Sequence, residues 1–117
     1  MATRHFSVDV DRSGAVIVLA VHGDADLATV PEFAVVLWRA IDAGERRLII
    51  DLCETRFVDS KMIELLLSAA ARVKRQERKM AIACGSESIC RVLELCGVTR
   101  MLPVRATREE ALIALAS

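Results

Sequence analysis

The sequence predicts an α/β fold, a single domain in which a mixed β-sheet of about five strands is flanked by about four helices. Three observations predict it. Strand-length apolar runs such as Leu48–Leu52 and Lys79–Cys84 alternate with longer segments whose apolar residues recur at helical spacing. The first two strands are separated only by Asp11-Arg12-Ser13-Gly14, turn chemistry that makes them an antiparallel hairpin. A length of 117 residues fits one domain, and an apolar fraction of 54% is enough for a packed core.

In order, Phe6, Val8 and Val10 alternate with Ser7 and Asp9 as in a half-buried strand. Ala15–Val21 is a β-branched run, hence a more buried strand. His22–Ala28 reads as a polar loop. Thr29-Val30-Pro31-Glu32 then opens a helix with a capping box and a proline in the first turn. Phe33, Val36, Leu37, Ala40 and Ile41 mark its inner face, and Gly44 suits its end. Leu48–Leu52 follows a helix and predicts a parallel strand. Cys53–Val58 reads as a loop, and a long helix runs from about Asp59 to Gln76. Lys79–Cys84 is the next buried strand. Ser86 or Ser88 caps a third helix that ends at Cys96-Gly97, with Cys90 and Cys96 on its apolar face. Met101–Val104 is a short strand, and Thr107–Glu110 is a second capping box leading into a helix over Glu109–Leu115.

Composition excludes several functions. Sixteen basic residues balance sixteen acidic ones, so no global positive field draws nucleic acid or an anionic membrane. Aromatic content of 3% leaves no stacking platform for single strands. Met1-Ala2-Thr3-Arg4-His5 does not open a secretory signal, and a cytoplasmic protein is expected. The four cysteines are then free thiols, without a Cys-x-x-Cys pair for zinc. No cofactor motif and no catalytic constellation emerges.

The strongest site candidate is Asp59-Ser60, where a strand-side loop hands over to the longest helix. Free amides and the positive dipole end there favour negative charge. A phosphate on Ser60 would be tolerated locally and would add about −2 charge to the surface. A plain helix cap accounts for the same two residues. His22-Gly23-Asp24-Ala25-Asp26 lies before another helix and is expected on the same edge. Its His-x-Asp-x-Asp spacing is a weak metal signal, and solvated aspartates account for it. Cys53 and Cys84 each follow a buried strand, which leaves a regulatory disulfide or two small buried hydrophobes. Arg72, Lys74, Arg75, Arg78 and Lys79 gather where the second helix ends, a place that favours cations.

The stretch Leu48–Leu66, LIIDLCETRFVDSKMIELL, resembles the signature of the STAS domain (sulphate transporter and anti-sigma factor antagonist). HGDADLATV is similar to that family's Gly-x-x-Asp-x-x-Thr segment, and VLELCGVT to its helix-end pattern. The resemblance implies an anti-anti-sigma factor that binds an anti-sigma factor of the histidine-kinase-like ATPase fold, itself a serine kinase, and so frees the sigma factor. It further implies that the kinase phosphorylates Ser60 and ends binding, and that a serine phosphatase resets the switch. Asp26, Asp59, Ser60, Lys61 and Met62 are then the partner-binding residues. ATP and magnesium belong to the partner, so this chain needs no cofactor. The family usually continues Asp-Ser-(Ser/Thr)-Gly, whereas Lys61 and Met62 follow Ser60 here. That departure leaves room for a member that is not phosphorylated, or one controlled through Cys53 and Cys84. The same domain also serves as an accessory subunit of lipid-transport ATPases and in stress-signalling scaffolds.

Overall fold

The computed structural model describes residues 6–116, and the N-terminal reading of Met1–His5 lies outside them. Strands β1 (Ser7–Ser13) and β2 (Val16–Ala25) form the expected antiparallel hairpin. Its turn is shorter than the sequence implied. Asp11, Arg12 and Ser13 stay in β1, opposite Val18, Ile17 and Val16, and only Gly14 and Ala15 turn. Gly14 adopts φ +61°, as a two-residue hairpin turn requires.

Helix α1 (Val30–Asp42) buries Phe33, Leu37, Ala40 and Ile41 of the periodic set read from the sequence, while Val36 is half-buried. Strand β3 (Arg47–Asp51) lies between β2 and β5 (Lys79–Ala83), parallel to both. Between them come a short strand β4 (Thr55–Val58) and helix α2 (Ser60–Arg75). Helix α3 (Glu87–Leu95), a single turn α4 (Val98–Met101), strand β6 (Val104–Arg105) and helix α5 (Arg108–Ala116) complete the chain. The described residues thus hold six strands and five helices.

Three segments depart from the sequence reading. Residues 22–25, read as part of a polar loop, continue β2 to Ala25. Residues 53–58 contain β4, because Thr55 and Val58 turn inward while Arg56 and Phe57 face out. Met101 closes a helical turn that restarts after Gly97 at φ +85°, so the expected strand 101–104 shrinks to Val104–Arg105. Ser86, rather than Ser88, caps α3 by accepting from the Ile89 amide. Cys96 ends that helix and is exposed, while Cys90 is half-buried.

The sheet order is β1-β2-β3-β5-β6, with β4 beside the end of β2. From β2 onward each new strand is added on the same side. Right-handed crossovers therefore put their helices on one face. That face carries the main core: Leu19, Val21, Leu48, Ile50 and Ile82 pack against Phe33, Leu37, Leu66 and Leu93. The other face would lie bare but for α5, whose Ala111 and Leu115 cover Val16, Val18, Ile49, Ala81 and Ala83. Alanines at 81 and 83 keep this second layer thin.

The first turn of α5 is pinned by an ion pair. Arg108 places Nε 3.0 Å and one terminal nitrogen 2.9 Å from Asp51 Oδ2, and its other terminal nitrogen 3.4 Å from Asp11. Asp51 is buried and also accepts from the Cys53 amide at 2.9 Å. Burial alone would raise its pKa. The bonds from Cys53 and Arg108 outweigh it, so the carboxyl sits below the ordinary carboxylate range. The second capping box forms by halves. Thr107 Oγ1 accepts from the Glu110 amide, but Glu110 reaches back to the Ala106 amide.

A carboxylate with a depressed folded pKa stabilises the fold above its unfolded value, and that stabilisation disappears as pH falls through the folded value. Asp51→Asn is expected to cost about 1–3 kcal/mol at neutral pH. The difference from wild type should shrink below about pH 4. Urea titrations across that range measure it, and a pH-independent difference would rule out the ion pair as its source.

Candidate functional site

Strand β2 changes neighbours along its length. Ile17–Ala20 pair with β3, and Gly23–Ala25 then pair with β4 across an irregularity at Gly23. Gly23 takes φ +95°, a left-handed conformation that costs little without a Cβ. Three hydrogen bonds fix the junction. Thr55 Oγ1 donates to the Val21 carbonyl at 2.7 Å in a buried position. The Gly23 amide donates to Glu54 O at 3.1 Å, and the Asp59 amide to Ala25 O at 3.1 Å. The loops before α1 and before α2 are thereby held side by side, as expected from sequence for His22–Asp26 and Asp59-Ser60.

Asp59 is the N-cap of α2. It is extended at φ −109°, and its Oδ1 accepts from the Lys61 amide at 3.0 Å and the Met62 amide at 3.1 Å. Ser60, the first helical residue, is exposed. Lys61 is exposed as well and lies 3.6 Å from Glu64, one turn on. Met62 does not belong to this surface: it is fully buried, on the α2 face that also buries Ile63 and Leu66. The expectation that Met62 is a partner-binding residue is corrected by that burial.

The capping box expected at Thr29 and Glu32 is absent, because Thr29 is engaged elsewhere. Its hydroxyl donates to the Asp24 carbonyl at 2.5 Å and accepts from the Asp26 amide at 2.9 Å. Asp26 Oδ1 accepts from the amides of Ala28 and Thr29 at 3.0 and 3.1 Å, taking the capping role for the turn into α1. Asp26 is therefore a structural residue of the loop whatever else it meets. Asp24 stands 3.4 Å from Arg56. Leu27 and Phe57 are among the exposed large apolar side chains. Leu27 lies in the turn before α1 and Phe57 on the outer face of β4, and no sequence pattern distinguished them from core positions.

The remaining candidates lie apart from Ser60. His22 Nε2 is 3.0 Å from Asp9 Oδ2, close enough for an ion pair but without hydrogen-bond alignment. Among the described residues no group of His, Cys, Asp and Glu is arranged to hold a metal ion, and no helix is long and apolar enough to cross a membrane. Cys53 and Cys84 follow neighbouring strands, joined where the Leu52 amide donates to Ala83 O at 2.7 Å. Cys84 is buried but Cys53 is exposed, so the reading of both as small buried hydrophobes holds for Cys84 alone. Partial desolvation pushes the Cys53 thiol up to about 11, with Asp51 adding to it, and burial pushes Cys84 up to about 12, with Cys90 adding to it. Such thiols hold almost no thiolate at neutral pH, which weighs against a redox-sensing role.

Two outcomes follow. Asp59→Ala should lose about 1 kcal/mol of stability through the missing cap, whereas Ser60→Ala should stay within about 0.5 kcal/mol. Chemical denaturation compares them, and equal losses would contradict the division of roles. Iodoacetamide at neutral pH should label exposed Cys96 well before Cys84, as followed by peptide mass. Equal rates would show that burial does not protect Cys84.

The STAS domain family matches residues 7–111. A curated relative, BtrV of Bordetella bronchiseptica, is 22% identical over 102 residues, covering 87% of this chain and 88% of that protein, and is described as a candidate anti-sigma factor antagonist. A crystal structure of an anti-sigma factor antagonist from Mycobacterium paratuberculosis superposes with a TM-score of 0.92 at 22% identity, over 99% of this chain and 98% of that one. The phosphorylated form of the Bacillus cell fate determinant SpoIIAA matches with a TM-score of 0.71 at 19% identity, over 92% and 97%. The match spans nearly every described element, from the hairpin to α5, and on that extent the chain belongs to the STAS domain family.

Proposed function

We propose that this protein is an anti-sigma factor antagonist, a cytoplasmic regulator that binds an anti-sigma factor and so frees a sigma factor for transcription. The observation that carries this reading is the exposed Ser60 hydroxyl at the start of α2, with Asp59 turned inward as its cap and the Asp26 loop held alongside. BtrV and the M. paratuberculosis protein bear that functional description. In this reading Asp59, Ser60 and Lys61, with Leu27 and Phe57, form the docking surface, and Asp26 shapes it. Met62 supports it from the core.

The partner proposed is an anti-sigma factor of the histidine-kinase-like ATPase fold that also phosphorylates Ser60, with a serine phosphatase restoring the hydroxyl. The phosphorylated SpoIIAA structure supports the chemistry in a protein of this fold. A neutral hydroxyl is cheap to bury against a partner. A phosphate must be desolvated there, close to the carboxylates of Asp59 and Asp26. The free amides of the first helical turn soften that cost, although Asp59 already occupies two of them. Lys61 is drawn toward Glu64 rather than standing free for a phosphate.

Incubation with the kinase and ATP, followed by intact mass and peptide mapping, should place one phosphate on Ser60 and none on Ser60→Ala. Ser60→Asp should weaken binding to the unmodified partner at least about tenfold, while Ser60→Ala binds like wild type. Undiminished binding of Ser60→Asp would leave the docking surface without its switch, as in a permanently bound accessory subunit.

A further inference from the structure

We propose a second site at the opposite edge of the sheet: a pocket that takes a small amphipathic anion, an alkyl chain carrying a carboxylate or phosphate head. A cavity of about 340 Å³ opens there between the end of α2, the segment before β6 and the end of α5. Helical rise puts it roughly 20 Å from Ser60 along α2.

The cavity exists because β6 is too short to cover its neighbour. Ile82 and Ala83 pair with Val104 and Arg105, and the amides of Ile82 and Cys84 donate to Pro103 O and Arg105 O. By the two-residue period of a strand the Met80 amide points the same way, where β6 does not reach. Val73, Met80, Leu102 and Leu115 give apolar walls, with half-exposed Met101 at the mouth. Lys74, Arg78 and Lys79 line the same space, and among the described residues no acidic side chain does.

Charge favours an anion here beyond these three cations. Lys79 lies opposite Arg47 of β3, and its amide donates to the Arg46 carbonyl, so both arginines stand at the same end of the sheet, on the side of β5 away from β6. On the segment that leads into β3, Glu45 pairs with Arg12 at 2.6 Å and Asp42 with Arg72 at 3.0 Å. Glu77 is the acid in the α2–β5 turn. Arg78 donates to the Ile41 carbonyl and is part of the frame. Lys74 is exposed and has no ion pair among the described residues. The volume lies at the small end of ligand pockets, which are typically about 300–1,000 Å³ and mostly apolar with a few placed polar groups. That composition suits a medium-length chain with one charged end.

The test is a titration of ¹⁵N-labelled full-length protein with decanoate and with decyl phosphate, below their micelle concentrations. Decyltrimethylammonium and inorganic phosphate are the controls. Both anionic amphiphiles should shift the amides of Val73, Met80 and Leu102 saturably, and the tighter of the two identifies the head group. Lys74→Glu should weaken binding about fivefold, the equivalent of one exposed charge contact. Met101→Trp, which narrows the mouth, should weaken it with the fold intact. The proposal fails if the folded wild type shows no saturable shift. It also fails if the cationic amphiphile or phosphate alone reproduces the shifts, or if both variants bind like wild type.

Discussion

The change of partners along β2 is the constraint on which the rest of the molecule depends. Up to Ala20 the strand belongs to the central sheet, and from Gly23 it belongs to β4. A strand that bends away from its neighbour must re-satisfy its backbone groups or leave them buried and unpaired. The buried hydroxyl of Thr55 takes the Val21 carbonyl, and Glu54 takes the Gly23 amide. The solution also delivers Asp59 to the end of β2, which fixes where α2 begins.

Everything proposed for the regulatory surface rests on that geometry. Asp59 faces the amides of its own helix, so the next side chain, Ser60, is turned outward. Asp26 and Thr29 are likewise occupied in shaping the neighbouring loop. The surface is built from residues whose polar groups are already committed to the backbone, and the exposed hydroxyl stands on that rigid base. A rigid base suits a switch read by charge, because adding a phosphate changes the electrostatics without needing the chain to move.

The fold was largely legible from period and spacing. Leu48–Leu52 and, but for half-buried Val36, the Phe33–Ile41 set announced their elements through residues that proved buried. Strand β4 was not legible, because two of its four residues face out and it pairs with the irregular tail of β2. Met62 was misplaced for a geometric reason. It follows Ser60 closely in sequence, but two steps of a helix rotate a side chain by roughly 200°, from the surface to the core. Thr29 satisfied the composition of a capping box and then spent its hydroxyl on Asp24, a choice that depends on a loop conformation invisible in one dimension. The cap of α2, by contrast, needed only local sequence to be placed at Asp59 or Ser60, and the structure uses Asp59.

The basic rim near Lys74 has an effect at long range. The chain's formal charge is zero, so an excess of cations at one edge is matched by an excess of acid over the remainder. The protein is an electric dipole although it is neutral. Within a Debye length, about 10 Å at 0.1 M salt, an approaching charged body feels the basic rim itself rather than the net charge. Such a molecule is turned by a partner's field before contact. Encounter would then be oriented and sensitive to ionic strength, even though nothing in its net charge announces it.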